Sequence, residues 1–377
     1  MIPIYKPYIS KYKSSALKAI DTEWISNYGI YTTLANTKLC EILGSRYCVL
    51  MCNGTAATHC LFLAIRYKYP YIKKIYVPNN VFVSPWNCAL MEYSNIEVMK
   101  MDPTTLNIDV SEEYIKTLDT DTAVLIVHNL GNIVNVPRLK RLRPDLIFVE
   151  DNCEGLFGKY EDQYSGTASL CSSISFYSNK VITTGEGGAF LTDDLDIYRY
   201  ILSVHSHGMT DERYIHNNLA FNYRMTNVAS AFLYEQLNDI SHILERKKNV
   251  FDIYDRLFRE LINQDKIKMI KNEKNTEKSL WMYSIWITGL DYKRLERFME
   301  EKHIQIRPCF YDIRVHDHLQ HIQVKYDELK ESKNCIMIPS YPELTEDEQQ
   351  YIVSCLKEFI TLELLLSNTR SKTATSL

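Results

Sequence analysis

The residues most able to do chemistry are an acidic pair and a lysine, each of which follows an apolar run. Glu150 and Asp151 come directly after residues 146–149, and Lys180 follows the stretch Ser-Phe-Tyr-Ser-Asn that starts at Ser175. Alone, an acid at a strand end is often a turn or cap residue, and a loop lysine is usually a solvated charge. Together they suit pyridoxal phosphate, which needs an amine to hold it as an imine and an anion to keep its ring nitrogen protonated.

Two glycine-containing turns could bring backbone close to such a cofactor. Asn53-Gly54-Thr55-Ala56 follows an apolar run and opens a helical pattern, and the N-terminus of a helix offers free N–H groups to a phosphate. Any strand-to-helix turn can carry these residues, so the turn gains meaning only beside the lysine and the acid. Residues 185–188, Gly-Glu-Gly-Gly, would also let the backbone approach a ligand closely.

Short apolar runs that alternate with helical patterns predict the framework for these residues. The runs are residues 47–52, 74–77, 96–101, 123–128, 146–149 and 173–177. Such runs are typical of strands buried on both faces, and they predict an α/β fold whose central sheet is mostly parallel, with helices on both faces. Ligands of these sheets lie at the carboxyl ends of the strands, which is where Asp151 and Lys180 are expected.

The chain is expected to form two domains. A helical pattern over residues 227–250 predicts one long helix that links a large cofactor-binding domain, residues 1–245, to a smaller α+β domain, residues 246–365. Residues 366–377 are rich in Ser, Thr, Lys and Arg with little to bury, so we expect a disordered tail there.

Composition argues against several other classes of protein. The 377 residues carry a net charge of −4 with the basic residues spread along the chain, so no nucleic acid partner is expected. The first ten residues do not form a secretory signal, and no apolar run reaches the roughly eighteen residues of a membrane span. Ten cysteines without a C-x-x-C pair indicate free thiols and a cytoplasmic location. Cys48, Cys52, His59 and Cys60 lack the paired spacing of a zinc site, so no metal is expected.

Four motifs, in order along the chain, carry a resemblance to a known family. They are N-G-T-A-A from residue 53, E-D-N-C-E-G from residue 150, S-F-Y-S-N-K-V-I-T-T-G-E-G-G from residue 175 and F-N-Y-R-M-T-N from residue 221. With them the chain resembles the DegT-type sugar aminotransferases, a branch of the fold type I pyridoxal phosphate enzymes, from residues 4–7 to residues 338–345. It is similar to the perosamine and viosamine type, which implies transamination of a nucleotide-linked 4-keto-6-deoxyhexose, with glutamate as amino donor, to a 4-amino-4,6-dideoxyhexose.

Other functions are compatible with parts of the same pattern. No motif distinguishes amination of a 3-keto sugar nucleotide from amination at C4. A non-catalytic regulatory homologue should have lost the lysine, the ring acid or the phosphate turn, and all three are present. One subgroup of the family has histidine in place of the lysine and removes a hydroxyl group, and Lys180 argues against that dehydratase activity. A nicotinamide-dependent enzyme should show G-x-G-x-x-G after an early strand, which this sequence lacks.

Matching positions in the family imply roles for individual residues. Lys180 is the implied Schiff-base lysine and general base, Asp151 the partner of the ring nitrogen, and Glu154 a residue near the ring oxygen. The further cofactor contacts implied are Gly54, Thr55, Ala56, Phe82, Ser175 and Asn222. Asn222 lies in a loop that, in the family, reaches the neighbouring subunit's site, so the resemblance implies a homodimer with shared active sites.

Fewer sequence motifs indicate the residues that contact the sugar nucleotide. Residues 307–316 depart from the family's proline-leucine-histidine signature. The predicted substrate contacts are Asn27, Tyr28, Glu186, Arg224, Arg307 and Tyr311. His205 and His207 are as readily structural as functional.

Overall fold

A computed structural model describes residues 1–289 and 291–374 of the chain. Its strands are β1 Tyr47–Met51, β2 Ile75–Val77, β3 Ile96–Val98, β4 Ala123–Val127, β5 Ile147–Asp151, β6 Lys159–Tyr160, β7 Gln163–Tyr164, β8 Ser172–Ser175, β9 Gly188–Thr192, β10 Ile267–Met269, β11 Thr276–Glu277, β12 Tyr283–Ile287, β13 Arg307–Pro308 and β14 Cys335–Ile338. Its α-helices are α1 Ser14–Asp21, α2 Ile30–Leu43, α3 Gly54–Lys68, α4 Val83–Glu92, α5 Glu112–Lys116, α6 Val136–Leu142, α7 Leu195–Val204, α8 Asn227–Asn238, α9 Ile240–Asn263, α10 Tyr292–Glu301 and α11 Glu346–Ala374. None of these described helices is long and apolar enough to cross a membrane.

The central sheet of the described chain has seven strands in the order β1-β9-β8-β5-β4-β2-β3. From β8 to β3 all neighbouring strands are parallel, whereas β9 runs antiparallel to both β1 and β8. The six predicted strands are all present, with ends that differ by up to three residues. β9 was not predicted, because it starts within the glycine-rich turn. A Cβ on Gly188 would lie 2.5 Å from the Asn53 carbonyl oxygen and 2.8 Å from that of Ile174, so this strand fits here only with glycine at its first residue.

The helix predicted over residues 227–250 is in fact two helices, α8 and α9. They are separated at Asp239, whose backbone (φ −113°, ψ 20°) is not helical. Its carboxylate accepts a hydrogen bond from the Tyr12 hydroxyl at 2.7 Å, which ties the break to the N-terminal segment. The prediction of a single helix was therefore wrong, because the apolar pattern continues across a break that a distant contact stabilises.

A second sheet, in the order β10-β12-β14-β13, lies in the C-terminal part of the described chain. Its strands are antiparallel, and its core includes side chains of α9, α10 and α11. Residues of the same part also pack elsewhere: Cys309 and Met337 join one core of the large sheet, and Ile313 and Leu319 join the other. The division into domains at residues 245 and 246 falls inside α9 and stays a prediction.

The last helix passes through most of the segment expected to be a disordered tail. α11 continues to Ala374, so residues 366–374 are helical. Residues 375–377 of the expected tail lie outside the described residues.

Candidate active site

A cleft of about 620 Å³ opens at the carboxyl ends of the parallel strands. Val127, Asp151 and Ser175, the last residues of β4, β5 and β8, all line it. This is the edge where a parallel sheet gathers the side chains that follow its strands. The predicted site residues that line the cleft are Gly54, Thr55, Phe82, Asp151, Glu154, Ser175, Lys180, Glu186 and Arg307.

The turn before α3 forms one end of the cleft. Asn53 caps the helix, and its Oδ1 accepts the Ala56 N–H at 2.8 Å. Ala56 was predicted to contact a phosphate, but its N–H is used by this cap and its side chain is buried outside the cleft lining. A Cβ on Gly54 would lie 2.7 Å from the Ser175 Cβ, so only glycine lets Ser175 stand against this turn.

Hydroxyl groups complete the polar end of the cleft. The Ser84 hydroxyl donates to Thr55 Oγ1 at 3.1 Å, and Ser175 Oγ accepts the Tyr177 N–H at 3.3 Å. Three hydroxyl-bearing side chains, Thr55, Ser84 and Ser175, therefore line the cleft beside a helix N-terminus. This set of donors suits a phosphate dianion.

Asp151 is held in place by the same helix. One carboxylate oxygen accepts the Cys153 N–H at 3.0 Å, and the other accepts the Thr58 hydroxyl at 3.3 Å. Thr58 lies in the first turns of α3, so the Gly54 turn and the acid are positioned by one element. The carboxyl is 4% exposed, as an anion that faces a single cationic ring atom would require.

Lys180 lies between a carboxyl and an indole ring. Its Nζ is 3.9 Å from Oε1 of Glu154 and 4.3 Å from the centroid of the Trp281 ring. The Trp281 Nε1–H donates to the carbonyl of Asn179 at 3.0 Å, so the indole is tied to the residue before the lysine. The amine is thereby kept in a mostly buried position with its side chain 12% exposed.

Glu154 is a buried acid with an unusual environment. Its Oε2 accepts the N–H of Leu130 at 2.8 Å. Leu130 takes a left-handed conformation (φ 56°), which a branched residue seldom adopts. Burial raises the pKa of the Glu154 carboxyl to about 7, and the Lys180 ammonium opposes that rise. A group that can gain or lose a proton near neutral pH thus faces the lysine amine.

An aromatic wall closes the side of the cleft. The Phe82 ring, 55% exposed, meets Phe310 edge to face at 6.1 Å, and Phe310 is parallel to Trp281 at 6.5 Å. The predicted stacking residue Phe82 is thus at the cleft, with a face still open to a ligand.

Some residues of the cleft were missed by the sequence analysis. Trp281, Ser84 and Phe310 all line it. Ser84 lies two residues after the predicted Phe82, and Phe310 lies within residues 307–316, but neither side chain was itself predicted to contact the cofactor. The only sequence signal for Trp281 is a tryptophan just before an apolar strand, which is also the pattern of an ordinary core residue.

Besides Ala56, five predicted residues lie outside this cleft in the single chain. Asn27, Tyr28 and Arg224 line a second groove of about 640 Å³, and Asn222 is exposed beside it, where its Oδ1 accepts Arg224 Nε–H at 3.0 Å. Tyr311 is 47% exposed and does not reach the cleft, because its neighbour Phe310 takes that position.

The loop that carries Asn222 and Arg224 is anchored to the sheet and to α3. The Cys52 N–H donates to the Tyr223 carbonyl at 2.7 Å, and the Tyr223 hydroxyl lies 3.0 Å from Nδ1 of His59. The other ring nitrogen of His59 is 3.0 Å from Glu92. His59 therefore supports this loop. Among the described residues no group of three or more His, Cys, Asp or Glu side chains is placed to hold a metal ion.

The chain is also similar in sequence and in fold to known proteins. The family model "DegT/DnrJ/EryC1/StrS aminotransferase family" matches residues 9–357. GDP-perosamine synthase of Escherichia coli O157:H7 is 28% identical over 367 residues, which cover 95% of this chain and 98% of that protein.

Solved structures of similar fold include two of GDP-4-keto-6-deoxymannose-3-dehydratase. One, from E. coli, holds hydrated pyridoxal phosphate, and the other holds a trapped geminal diamine of pyridoxal phosphate and glutamate. Each has a TM-score of 0.86 at 21% identity and covers 94% of this chain, with 99% and 100% of those chains covered. The predicted fold class, a mostly parallel central sheet with helices on both faces, is confirmed.

Proposed function

Because this chain belongs to the DegT/DnrJ/EryC1/StrS aminotransferase family, we propose that it transfers an amino group from glutamate to a nucleotide-linked 4-keto-6-deoxyhexose, giving a 4-amino-4,6-dideoxyhexose. Family membership confirms the predicted enzyme class and its cofactor, pyridoxal phosphate. A GDP-linked sugar is the first substrate to test, since a relative similar over its whole length is a GDP-perosamine synthase.

The observation that carries the proposal is the placement of Lys180 in one cleft with Asp151 and the hydroxyl-lined turn. The residues present fit the cofactor: Thr55, Ser84 and Ser175 would bind its phosphate, Asp151 its ring nitrogen, and Phe82 would face its ring. When bound, pyridoxal phosphate supplies the electron sink that makes the donor's α-proton acidic.

The chain's own residues then hold, orient and move protons. As the Schiff-base lysine, Lys180 would anchor the cofactor, and its freed Nζ would take the proton from the α-carbon of the donor and later deliver one on the sugar side. Glu154 Oε1, 3.9 Å from this nitrogen, can accept or return a proton to it near neutral pH. Both side chains are mostly buried, which strengthens their electrostatic interaction.

A homodimer with shared sites forms part of the proposal. Leu17, Ile20 and Trp24 are each at least half exposed, as are Ile25, Tyr28 and Ile30 in the same segment. A run of exposed apolar side chains beside the groove of Asn27 and Arg224 is typical of a surface that a partner covers. In a two-fold dimer the Asn222 loop of one subunit would reach the cleft of the other.

The predicted cytoplasmic location also stays a proposal. It is supported by the ten free cysteines, seven of which are buried.

One experiment tests the activity and names the substrate. The purified protein with pyridoxal phosphate is incubated with glutamate and a panel of UDP-, dTDP- and GDP-linked 4-keto-6-deoxyhexoses and their 3-keto isomers. Product mass and NMR identify the nucleotide and the carbon that carries the new amine. We expect 4-amino products. Exclusive amination of a 3-keto isomer would assign the reaction to C3 instead of C4. No conversion of any keto sugar would overturn the proposal.

A further inference from the structure

We propose that Arg307 binds the α-carboxylate of the amino donor and so selects donors that carry this group. The inference rests on the proposed aminotransferase function and deepens it. From the sequence, Arg307 is predicted to contact the sugar nucleotide, which is also an anion, so the donor and the sugar nucleotide have to be distinguished as ligands of Arg307.

The charges that line the cleft point to an anion at Arg307. Asp151, Glu154 and Glu186 contribute three carboxyl groups, and Lys180 and Arg307 the two cationic side chains. Glu154 faces the lysine. In the described parts of the chain, no carboxylate lies within 4.0 Å of the Arg307 guanidinium. A glutamate molecule that enters among three acids needs a cation, and Arg307 is the one without a carboxylate partner.

The surroundings of Arg307 hold it rigidly. It lies in β13 opposite Met337, which also lines the cleft. Residues 304 and 305, just before this strand, are fixed to the N-terminal segment, because Ile304 forms a β-bridge with Ile2 and the Gln305 side chain accepts the Ile4 N–H at 3.0 Å. The backbone of Arg307 is therefore held in position, and its planar guanidinium presents its donors in a fixed fork.

The aromatic contact of Arg307 leaves its hydrogen-bonding edge suited to a carboxylate. Its guanidinium carbon lies 5.1 Å from the centroid of the Tyr5 ring. A planar guanidinium over a ring donates its N–H groups in its own plane, where a carboxylate can accept two parallel bonds. Partial burial of Arg307 strengthens such a bond relative to one in water.

Geometry favours the donor over the diphosphate of the sugar nucleotide. The α-carboxylate is attached to the same carbon as the amine being transferred, so it must lie close to Lys180, and Arg307 lines the same cleft. In a 4-keto sugar the whole ring separates the reacting carbon from the diphosphate. The groove of Arg224 and His205, which no acidic residue of the described chain lines, is better suited to phosphate.

The test uses the holoenzyme and two probes. Binding of 2-methylglutamate, which has no α-proton to lose, is measured by calorimetry and by the change in cofactor absorbance, and binding of GDP is measured by calorimetry. We expect Arg307→Gln to weaken the binding of 2-methylglutamate by about 10- to 100-fold and to leave the binding of GDP unchanged. Arg307→Lys should recover part of the loss. Arg256, an exposed arginine paired with Glu346, provides the matched control, so Arg256→Gln should change neither probe.

A donor analogue adds a second readout. Wild-type enzyme should use glutamate in preference to its α-amide, and Arg307→Gln should lose most of this preference. Loss of GDP binding with unchanged 2-methylglutamate binding would assign Arg307 to the diphosphate and overturn the inference. Equal losses for both probes, or no loss for either, would overturn it as well. The keto-sugar panel tests the proposed function separately, since a holoenzyme that binds 2-methylglutamate through Arg307 but aminates no sugar would contradict only that function.

Discussion

Oε1 of Glu154 lies 3.9 Å from Nζ of Lys180, while Oε2 of the same carboxyl is fixed by the Leu130 N–H. The acid therefore cannot swing away from the lysine without giving up a buried hydrogen bond. Since burial raises the pKa of the Glu154 carboxyl to about 7, this carboxyl can change its charge beside the lysine in the neutral range.

Replacing the lysine should abolish turnover. Lys180→Ala removes the amine that holds the cofactor and moves the proton, so we expect no amino-sugar product and no imine absorbance band, with an unchanged far-UV circular dichroism spectrum. Lys180→Arg keeps the positive charge but cannot form an imine, and it should be equally inactive. Amination of substrate by either variant would contradict the assignment.

The titration of Glu154 should lower the free energy of unfolding as pH rises. Its folded-state pKa is above the ordinary value of 4.5, so its contribution is most favourable below that value and is lost as pH rises to about 7. Glu154→Gln has no such titration. Without cofactor, the stability of wild type relative to Glu154→Gln should fall by on the order of 3 kcal/mol between pH 4.5 and pH 8, as measured by urea unfolding. The same difference at both pH values would show that the carboxyl titrates normally.

Trp281 should stabilise the lysine loop through its indole N–H. Trp281→Phe keeps a ring near the amine but leaves the partly buried Asn179 carbonyl without this donor, which should lower the free energy of unfolding by about 1 kcal/mol. Trp286 is a suitable control, because its Nε1 has no hydrogen-bond partner in the described structure. Trp286→Phe should cost less in the same urea unfolding measurement, and an equal cost would mean that the hydrogen bond to Asn179 contributes nothing.

The parts of the site that the sequence predicts are those encoded within a single strand and the turn after it. Asp151, Ser175, Lys180 and Gly54 belong to such strand-turn units, and the parallel sheet brings them together. Trp281 reaches the lysine only because the second sheet packs against the first, and no local pattern reports that contact.

The same limit explains the errors in the predicted elements. The break at Asp239 depends on Tyr12, more than two hundred residues away in sequence. β9 depends on the close approach of Asn53 and Ile174 to Gly188. Periodicity reports which side chains one element buries, and it does not report which distant backbone will lie against them.

Shared active sites predict complementation between two inactive variants. Lys180→Ala and Asn222→Ala chains, each carrying a different affinity tag, are co-expressed. A mixed dimer would contain one site with both wild-type residues, so a random mixture should recover about one quarter of wild-type activity. Lys180→Ala with Asp151→Ala is the matched control, since both residues lie in the cleft of their own chain and no mixed dimer has an intact site. No recovery with the Asn222 pair would place Asn222 outside the partner's site.

Lys247 links this chemistry to the packing of the second sheet. It is 4% exposed on α9, and its Nζ donates to the carbonyl oxygens of Trp281 at 2.8 Å and Ser340 at 2.5 Å. The lysine therefore fixes the backbone of the tryptophan whose ring covers Lys180. Burial lowers the pKa of Lys247 to about 7, so the folded protein releases a proton that the unfolded chain retains up to about pH 10.5.

The lowered pKa of Lys247 should make the stability of the protein depend on pH. Because the unfolded state binds more protons between pH 7 and pH 10.5, wild-type stability should rise with pH in that range. Lys247→Met fills a similar volume without titrating. The stability of wild type relative to Lys247→Met should therefore increase by on the order of 2 to 3 kcal/mol from pH 7 to pH 9, as measured by urea unfolding. A constant difference would mean that the two carbonyl groups keep the ammonium charged, with the pKa of Lys247 near its ordinary value.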